Sequence, residues 1–343
     1  MTSYKIAVIG CGGMANAWID YAQKQQNCTI VALVDINLDY AQAMADKHEL
    51  KCGVYTDMTQ AITESGANLV FDVTIPASHH QVSTTALQLG CNVFGEKPMA
   101  ATMQEARDII RVAEQTGKSF SVMQNRRYNT NIRAFRNMIT KGSIGKTGFI
   151  SADFFIGAHF GGFRDAMDSP LILDMAIHTF DQARYLSGAN PISVYCHEFN
   201  PAGSWYAGNS SAICIFEFSD GSVFNYRGSW SAEGASTSWE AAWRVIGEQG
   251  TIIWDGTTAP YAEVVSPGDQ TGKFIRDYTA IQAECSWSGN EGHSGCLDEM
   301  FSALRESRPA ETDGHDNIQS IAMVLGALES AKSGRKIDLR EFI

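Results

Sequence analysis

The chain has 343 residues, 44% hydrophobic and 19% charged, ordinary proportions for a globular protein long enough to build two cores. Its net charge of −12 argues against nucleic acid or an anionic membrane as partner, because basic surface supplies most of that attraction. No apolar run approaches the ~20 residues that span a bilayer, and no charged leader with a cleavable apolar segment precedes Ile6, so a cytoplasmic location is expected.

From the N-terminus, short β-branched runs alternate with helical stretches. Strands are predicted over 4–10, 28–35, 53–55, 69–74, 92–95 and 119–124, and helices over 13–25, 38–48, 78–89 and 103–116. Buried apolar strands alternating with helices specify an α/β unit with a doubly wound parallel sheet, covered on both faces. After about residue 145 the strands lengthen, at 149–156, 192–198, 212–218, 222–228, 243–246 and 251–254, with a hairpin signal at Asp220-Gly221. Helices are predicted over 170–186, 296–306 and 317–333, which makes this region α+β with an antiparallel sheet. The expected division is 1–125 for a dinucleotide-binding domain and 126–343 for a second domain. Eight cysteines without a CxxC pair favour free thiols, and no metal site is expected.

The motif Gly10-Cys11-Gly12-Gly13-Met14-Ala15 follows the first strand and opens the first helix as GxGxxA. Gly10 permits a tight turn, Gly12 lets backbone approach a pyrophosphate, and Ala15 lets helix and strand pack closely. The helix N-terminal amides then face anionic phosphates. Asp35 closes the second strand, where a ribose ligand is expected. A carboxylate there repels a 2′-phosphate, and Ile36 and Asn37 offer no compensating cation, so NAD is expected over NADP. Asp35 can equally cap the next helix.

Two further segments follow strands: Thr74-Ile75-Pro76-Ala77-Ser78-His79-His80, and Gly95-Glu96-Lys97-Pro98. Ligands of open parallel sheets bind beyond these strand ends. Lys97 beside a nicotinamide can stabilise developing alkoxide charge, and a cis Lys97–Pro98 bond is plausible. Adjacent His79 and His80 lack partners at metal-ligand spacing. In the second region Ser169-Pro170 starts a predicted helix on which Asp174, His178 and Asp181 share one face. His178 is a natural acid/base for a hydroxyl, and Asp174 can bind the same substrate or hold His178.

Together these segments resemble the Gfo/Idh/MocA oxidoreductase family, which includes inositol dehydrogenases and glucose–fructose oxidoreductase. The resemblance rests on GCGGMA at 10–15, Asp35, Pro76 and His79, EKP at 96–98, and D-x-x-x-H at 174–178, and it covers nearly the whole chain. Ala176 stands where the family usually has Gly. It implies a Rossmann domain followed by an α/β domain with an open antiparallel sheet that mediates homodimer or homotetramer assembly. It also implies Lys97, Asp174 and His178 as the catalytic group. Cofactor contacts are then expected from Gly10, Gly12, Gly13, Met14, Asp35, Ile36, Thr74, Ile75, Pro76, His79, Glu96 and Lys97.

Substrate-facing residues are expected at the junction that follows the last Rossmann strand, where Arg126 and Tyr128 either bind hydroxyls or, for the arginines, pair with surface acids. His159, in a Gly-rich loop, either lines the pocket or sits on the surface; His293 is a weaker candidate. The six tryptophans of the second region are expected mostly in the core rather than against a sugar. Three functions follow. The leading one is NAD(P)-dependent hydride transfer at a hydroxyl or carbonyl carbon of an inositol, pyranose, anhydrosugar or glycoside. The others are an NAD-dependent glycosidase with transient oxidation, and a sensor that binds NAD and sugar without chemistry.

Overall fold

The structure, a computed structural model, describes residues 3–343. The chain forms two compact units, residues up to 125 with 291–321, and residues 126–290 with 322–343.

In the first unit, β1 (Tyr4–Ile9), α1 (Ala15–Gln23), β2 (Cys28–Val34), α2 (Leu38–Lys47), β3 (Gly53–Tyr55), α3 (Met58–Ser65), β4 (Leu69–Asp72), α4 (Pro76–Gln88), β5 (Asn92–Gly95), α5 (Met103–Thr116) and β6 (Phe120–Val122) alternate. The strands pair in parallel in the order β3-β2-β1-β4-β5-β6. This is the expected doubly wound sheet, and its order reverses between β1 and β4, where such sheets place their ligands. Ile6, Ala7, Val8, Leu33, Val70 and Phe71 are completely buried, as helices on both faces require. The helix α3 was not foreseen. Its signals were present: Asp57 caps it through Gln60 N at 2.8 Å, and Gly66 closes it at φ +64°.

In the second unit, α6 (Thr130–Thr140) and β7 (Thr147–Phe155) precede a π-helical turn (Leu171–Ala176) that runs into α7 (Ile177–Ser187). The strands β8 (Pro191–Phe199), β9 (Ser211–Phe218), β10 (Val223–Ser229), β11 (Ala242–Gly247), β12 (Gly250–Trp254), β13 (Tyr261–Val265) and β14 (Tyr278–Gln282) follow. Then come α8 (Gly292–Glu306), α9 (Gly314–Ser333) and β15 (Ile337–Asp338). The sheet order is β14-β13-β12-β11-β7-β10-β9-β8-β15. Every pair is antiparallel except β7 with β10, so the sheet is mixed but mainly antiparallel, as expected. The hairpin at Asp220-Gly221 joins β9 to β10, with Phe218 N donating to Ser222 O at 2.9 Å.

Alternation decides which face is covered. Ala212, Cys214, Phe216 and Phe218 of β9 are buried, and Phe180 of α7 packs against Phe216 and Tyr226 at ring-centre distances of 4.8 and 5.2 Å. The opposite face exposes Tyr195, Ile213, Ile215, Phe149 and Ile246.

The sequence division placed residues 291–321 with the second region. The structure places them with the first. The cause is Phe301 of α8, whose ring meets Tyr4, Phe94 and Phe71 edge-on at 5.1, 5.2 and 6.3 Å. Tyr21 OH also donates to Asp298 Oδ1 at 2.6 Å. Among the described residues no helix is long and apolar enough to cross a membrane.

Candidate functional site

The loop between β1 and α1 has the geometry of a phosphate cradle. Gly10 has φ +92°, and a Cβ there would lie 2.7 Å from Val73 O, so only glycine fits. A Cβ on Gly12 or Gly13 would meet nothing within 4 Å, which leaves that side of the loop open. Ala15 is fully buried, and no side chain caps α1, so an anion can take the place of a capping side chain at its N-terminus. Met14 stands exposed beside them. Asp35 Oδ2 accepts from Cys11 N and Oδ1 from Asn37 N, both at 2.9 Å. Asn37, not Asp35, caps α2. Each Asp35 oxygen keeps a lone pair for a ribose hydroxyl. Ile36 is 98% exposed next to it. Burial, with Asp35 second, pushes the Cys11 thiol up to about 12, so it stays protonated and inert. These residues fit a dinucleotide.

Beyond β4 and β5 the chain builds a second layer. Asp72 is completely buried and accepts from Thr74 Oγ1 at 2.6 Å and Ser83 Oγ at 3.0 Å. Burial raises its carboxyl, and the charge of His79 opposes the rise. His79 itself is buried, with Nδ1 2.6 Å from Pro98 O and Nε2 3.0 Å from Thr74 O. The ring therefore ties the two strand-end loops together with both nitrogens occupied by backbone, a different use from the cofactor contact the resemblance implies. Pro76 opens α4, and Ile75 before it is exposed. Glu96 is buried and accepts from Trp18 Nε1 at 2.8 Å and from Lys97 N at 3.2 Å. His293 Nε2 lies 3.8 Å from Glu96, so this weak sequence candidate joins the EKP segment. The Lys97–Pro98 peptide is cis and the Lys97 side chain is half-buried. The buried carboxamide of Gln124 makes no hydrogen bond among the described residues, a residue that sequence reasoning passed over. A separate cavity of about 540 Å³, between the C-terminal ends of α5 and α8, lies at the opposite ends of these strands.

In the second unit, Ser169 was expected to cap the helix that bears Asp174 and His178. Its Oγ instead donates to Glu198 Oε2 at 3.0 Å, and burial pushes the Glu198 carboxyl up to about 7. The helix begins as a π-helical turn, so the 3.6-residue spacing does not hold through Asp174. Asp174 keeps 20% of its side chain exposed and accepts from Arg164 Nε at 2.6 Å. His178 is buried one turn on. Asp181 does not share an open face with them. It is buried against Arg127 in a two-pronged pair of 2.7 and 2.6 Å, with Arg184 Nη1 3.9 Å away.

Arg126 meets Glu240 at 3.8 Å and Met175 Sδ at 3.7 Å, and burial lowers its pKa. Tyr128 is buried beneath the Arg133 guanidinium, 4.7 Å from its ring centre, and so packs rather than facing solvent. His159 lies exposed, stacked on Trp205 at 3.7 Å and 2.7 Å from Glu233. Trp230, Trp243 and Trp254 fill the core, whereas Trp239 stands 46% exposed. Arg164 carried no sequence signal, because its pairing with Asp174 is a property of the folded loop.

Family models match two stretches of the chain: an oxidoreductase family NAD-binding Rossmann fold over residues 4–124, and the C-terminal alpha/beta domain of the same family over 136–339. A D-apiose dehydrogenase of Paraburkholderia graminis is 24% identical across 98% of this chain and 90% of its own. A D-glucoside 3-dehydrogenase of Escherichia coli is 26% identical across 58% of this chain and 59% of its own. The fold matches an oxidoreductase from Agrobacterium radiobacter solved with NAD+, L-tartaric acid and magnesium, with a TM-score of 0.87, 22% identity and full coverage of both chains. With both of its regions matched in order, the chain belongs to the Gfo/Idh/MocA family of oxidoreductases.

Proposed function

We propose that the protein is an NAD-dependent dehydrogenase or reductase of a polyol or sugar-like substrate, working at a carbon that carries a hydroxyl or carbonyl. The first unit holds the cofactor, and the second binds substrate and assembles the oligomer. The observation that carries this reading is the cradle at 10–15, closed by Val73 under Gly10, open over Gly12 and Gly13, and backed by Asp35. Relatives named as apiose and glucoside dehydrogenases support the substrate class.

When bound, NAD accepts or returns the hydride. Gly10, Gly12, Gly13 and Met14 would hold its pyrophosphate, Asp35 and Ile36 its adenosine ribose, and Thr74, Ile75, Pro76 and Glu96 would border its nicotinamide. Lys97 donates to the reacting oxygen and stabilises its negative charge as it develops. His178 takes the hydroxyl proton in oxidation and returns it in reduction. Asp174, held by Arg164, accepts a hydrogen bond from a substrate hydroxyl. His79 keeps the loops that bear Thr74 and Lys97 in place. Arg126 is retained as a substrate residue, because its Nη1 makes no hydrogen bond among the described residues.

The test is a screen of NADH formation from inositols, monosaccharides, anhydrosugars and glycosides, with protein stripped of nucleotide. At least one class should be oxidised. Failure with all of them, by protein that still binds NADH, would remove the assignment.

Two finer expectations follow. Turnover should favour NAD over NADP by at least about tenfold, since a 2′-phosphate would meet the Asp35 carboxylate at a cost above ~1.4 kcal/mol. Asp35→Asn should narrow that ratio in steady-state kinetics, and a wild type that prefers NADP would sink the claim. The exposed sheet face should join copies of the chain, because Ile215, between Tyr195 and Asn225 in register, is exposed on it together with Phe149, Tyr195, Ile213 and Ile246. Light scattering should show a dimer or tetramer that Ile215→Lys breaks into monomers; a monomeric wild type overturns it.

A further inference from the structure

Beside Asp174 lies a group of aromatic side chains that the proposed chemistry does not use. Phe160, Phe163 and Trp239 are 44, 68 and 46% exposed, high values for large rings that sit together. Phe160 packs on buried Trp230 with ring centres 5.1 Å apart, and Trp239 lies 6.2 Å from Phe160. Arg164 sits between the two phenylalanines, its guanidinium 5.0 Å from the Phe160 ring and 4.8 Å from the Phe163 ring. The same guanidinium donates through Nε to Asp174, and its terminal nitrogens make no hydrogen bond among the described residues. One side chain thus joins the aromatic surface to the carboxylate proposed to bind the reacting sugar. The loop is anchored from behind, where Trp205 Nε1 and Tyr206 OH both donate to Ala158 O.

We propose that Phe160, Phe163 and Trp239 form a subsite for the second ring of a glycoside, so that the preferred substrate is a sugar carrying an aryl group or another sugar, not a free monosaccharide or inositol. The inference rests on the dehydrogenase reading and narrows its substrate. A free polyol offers aromatic side chains only the C–H face of one ring, and that ring is engaged at Asp174. Phe160 and Trp239, inclined at 56° to each other, and Phe163 across the Arg164 guanidinium expose more aromatic surface than one such face can cover. The uncommitted nitrogens of Arg164 add donors at the junction, suited to the bridging oxygen or a neighbouring hydroxyl.

Steady-state kinetics on phenyl glucoside, cellobiose, glucose and myo-inositol test this, alongside quenching of intrinsic tryptophan fluorescence by phenyl glucoside, which reads binding without turnover. The wild type should show kcat/KM on the glycosides about five- to tenfold above that on glucose, the size of one or two aromatic stacks. Trp239→Ala and the more exposed Phe163→Ala should each abolish that advantage by raising KM on glycosides, with kcat and glucose oxidation unchanged. Equal effects on glucose and glycosides, no effect on either, or dissociation of the oligomer with the glycoside advantage intact would overturn the subsite while leaving the dehydrogenase assignment standing. Phenyl glucoside binding that depends on Phe163, with no oxidation of any sugar, would keep the subsite and remove the dehydrogenase. Absence of both binding and turnover would overturn the subsite.

Discussion

Lys97→Ala and His178→Asn should each lower turnover by at least ~10²-fold while NADH binding, read by fluorescence titration, stays within a few-fold of wild type. The two substitutions act on different units and different steps. Lys97 follows β5, beyond the strand ends that close the parallel sheet, while the cradle at 10–15 follows β1 and is held by Val73 and Asp35. Losing the Lys97 ammonium therefore removes charge stabilisation at the reacting oxygen without loosening the phosphate loop. His178 begins the regular helix after the π-helical turn, and asparagine there keeps a polar side chain but cannot carry the proton. Thermal unfolding of both variants should match wild type, which separates lost chemistry from lost fold. Near-normal turnover in both would refute these roles.

The second large effect concerns stability. Asp181→Ala should destabilise the protein by about 3–5 kcal/mol, because it removes the carboxylate that Arg127 and Arg184 both face in the interior. The Arg127–Asp181 side chains are 5 and 2% exposed, so water cannot replace the lost partner. Replacing both at once, as Arg127→Met with Asp181→Leu, should cost less than Asp181→Ala alone, since the interior then holds neither charge of the pair. Urea unfolding measures both. A single variant within about 1 kcal/mol of wild type would show that the pair contributes little.

These two predictions mark what local pattern could reveal. The GxGxxA loop, Asp35 and the Lys97–Pro98 turn were legible because each depends on a few adjacent residues and a strand–loop–helix context. The Asp57 cap and Gly66 were equally local and still passed over, as was the Asn129 cap that starts α6. Other features belong to no window of sequence. Arg127 selects Asp181 across 54 residues, and that choice, not helical spacing, turns Asp181 away from Asp174. The π-helical turn changes the register of the helix just where spacing was used to place three side chains. Ser169 reads as a cap but finds Glu198, and Arg164 finds Asp174 only once the loop after β7 has folded. Likewise the parallel pairing of β7 with β10 follows from topology, not from either strand's composition.

The position of Phe301 bears on how the protein is made. All six strands of the nucleotide-binding sheet have left the ribosome once Val122 is clear, yet the ring that covers Phe71 and Phe94 has not been synthesised. Until β7 to β14 and then α8 have been made, this aromatic patch stays open to chaperones or to other nascent chains. A fragment ending near residue 125 inherits that bare patch, and grafting α8 back is expected to raise its solubility.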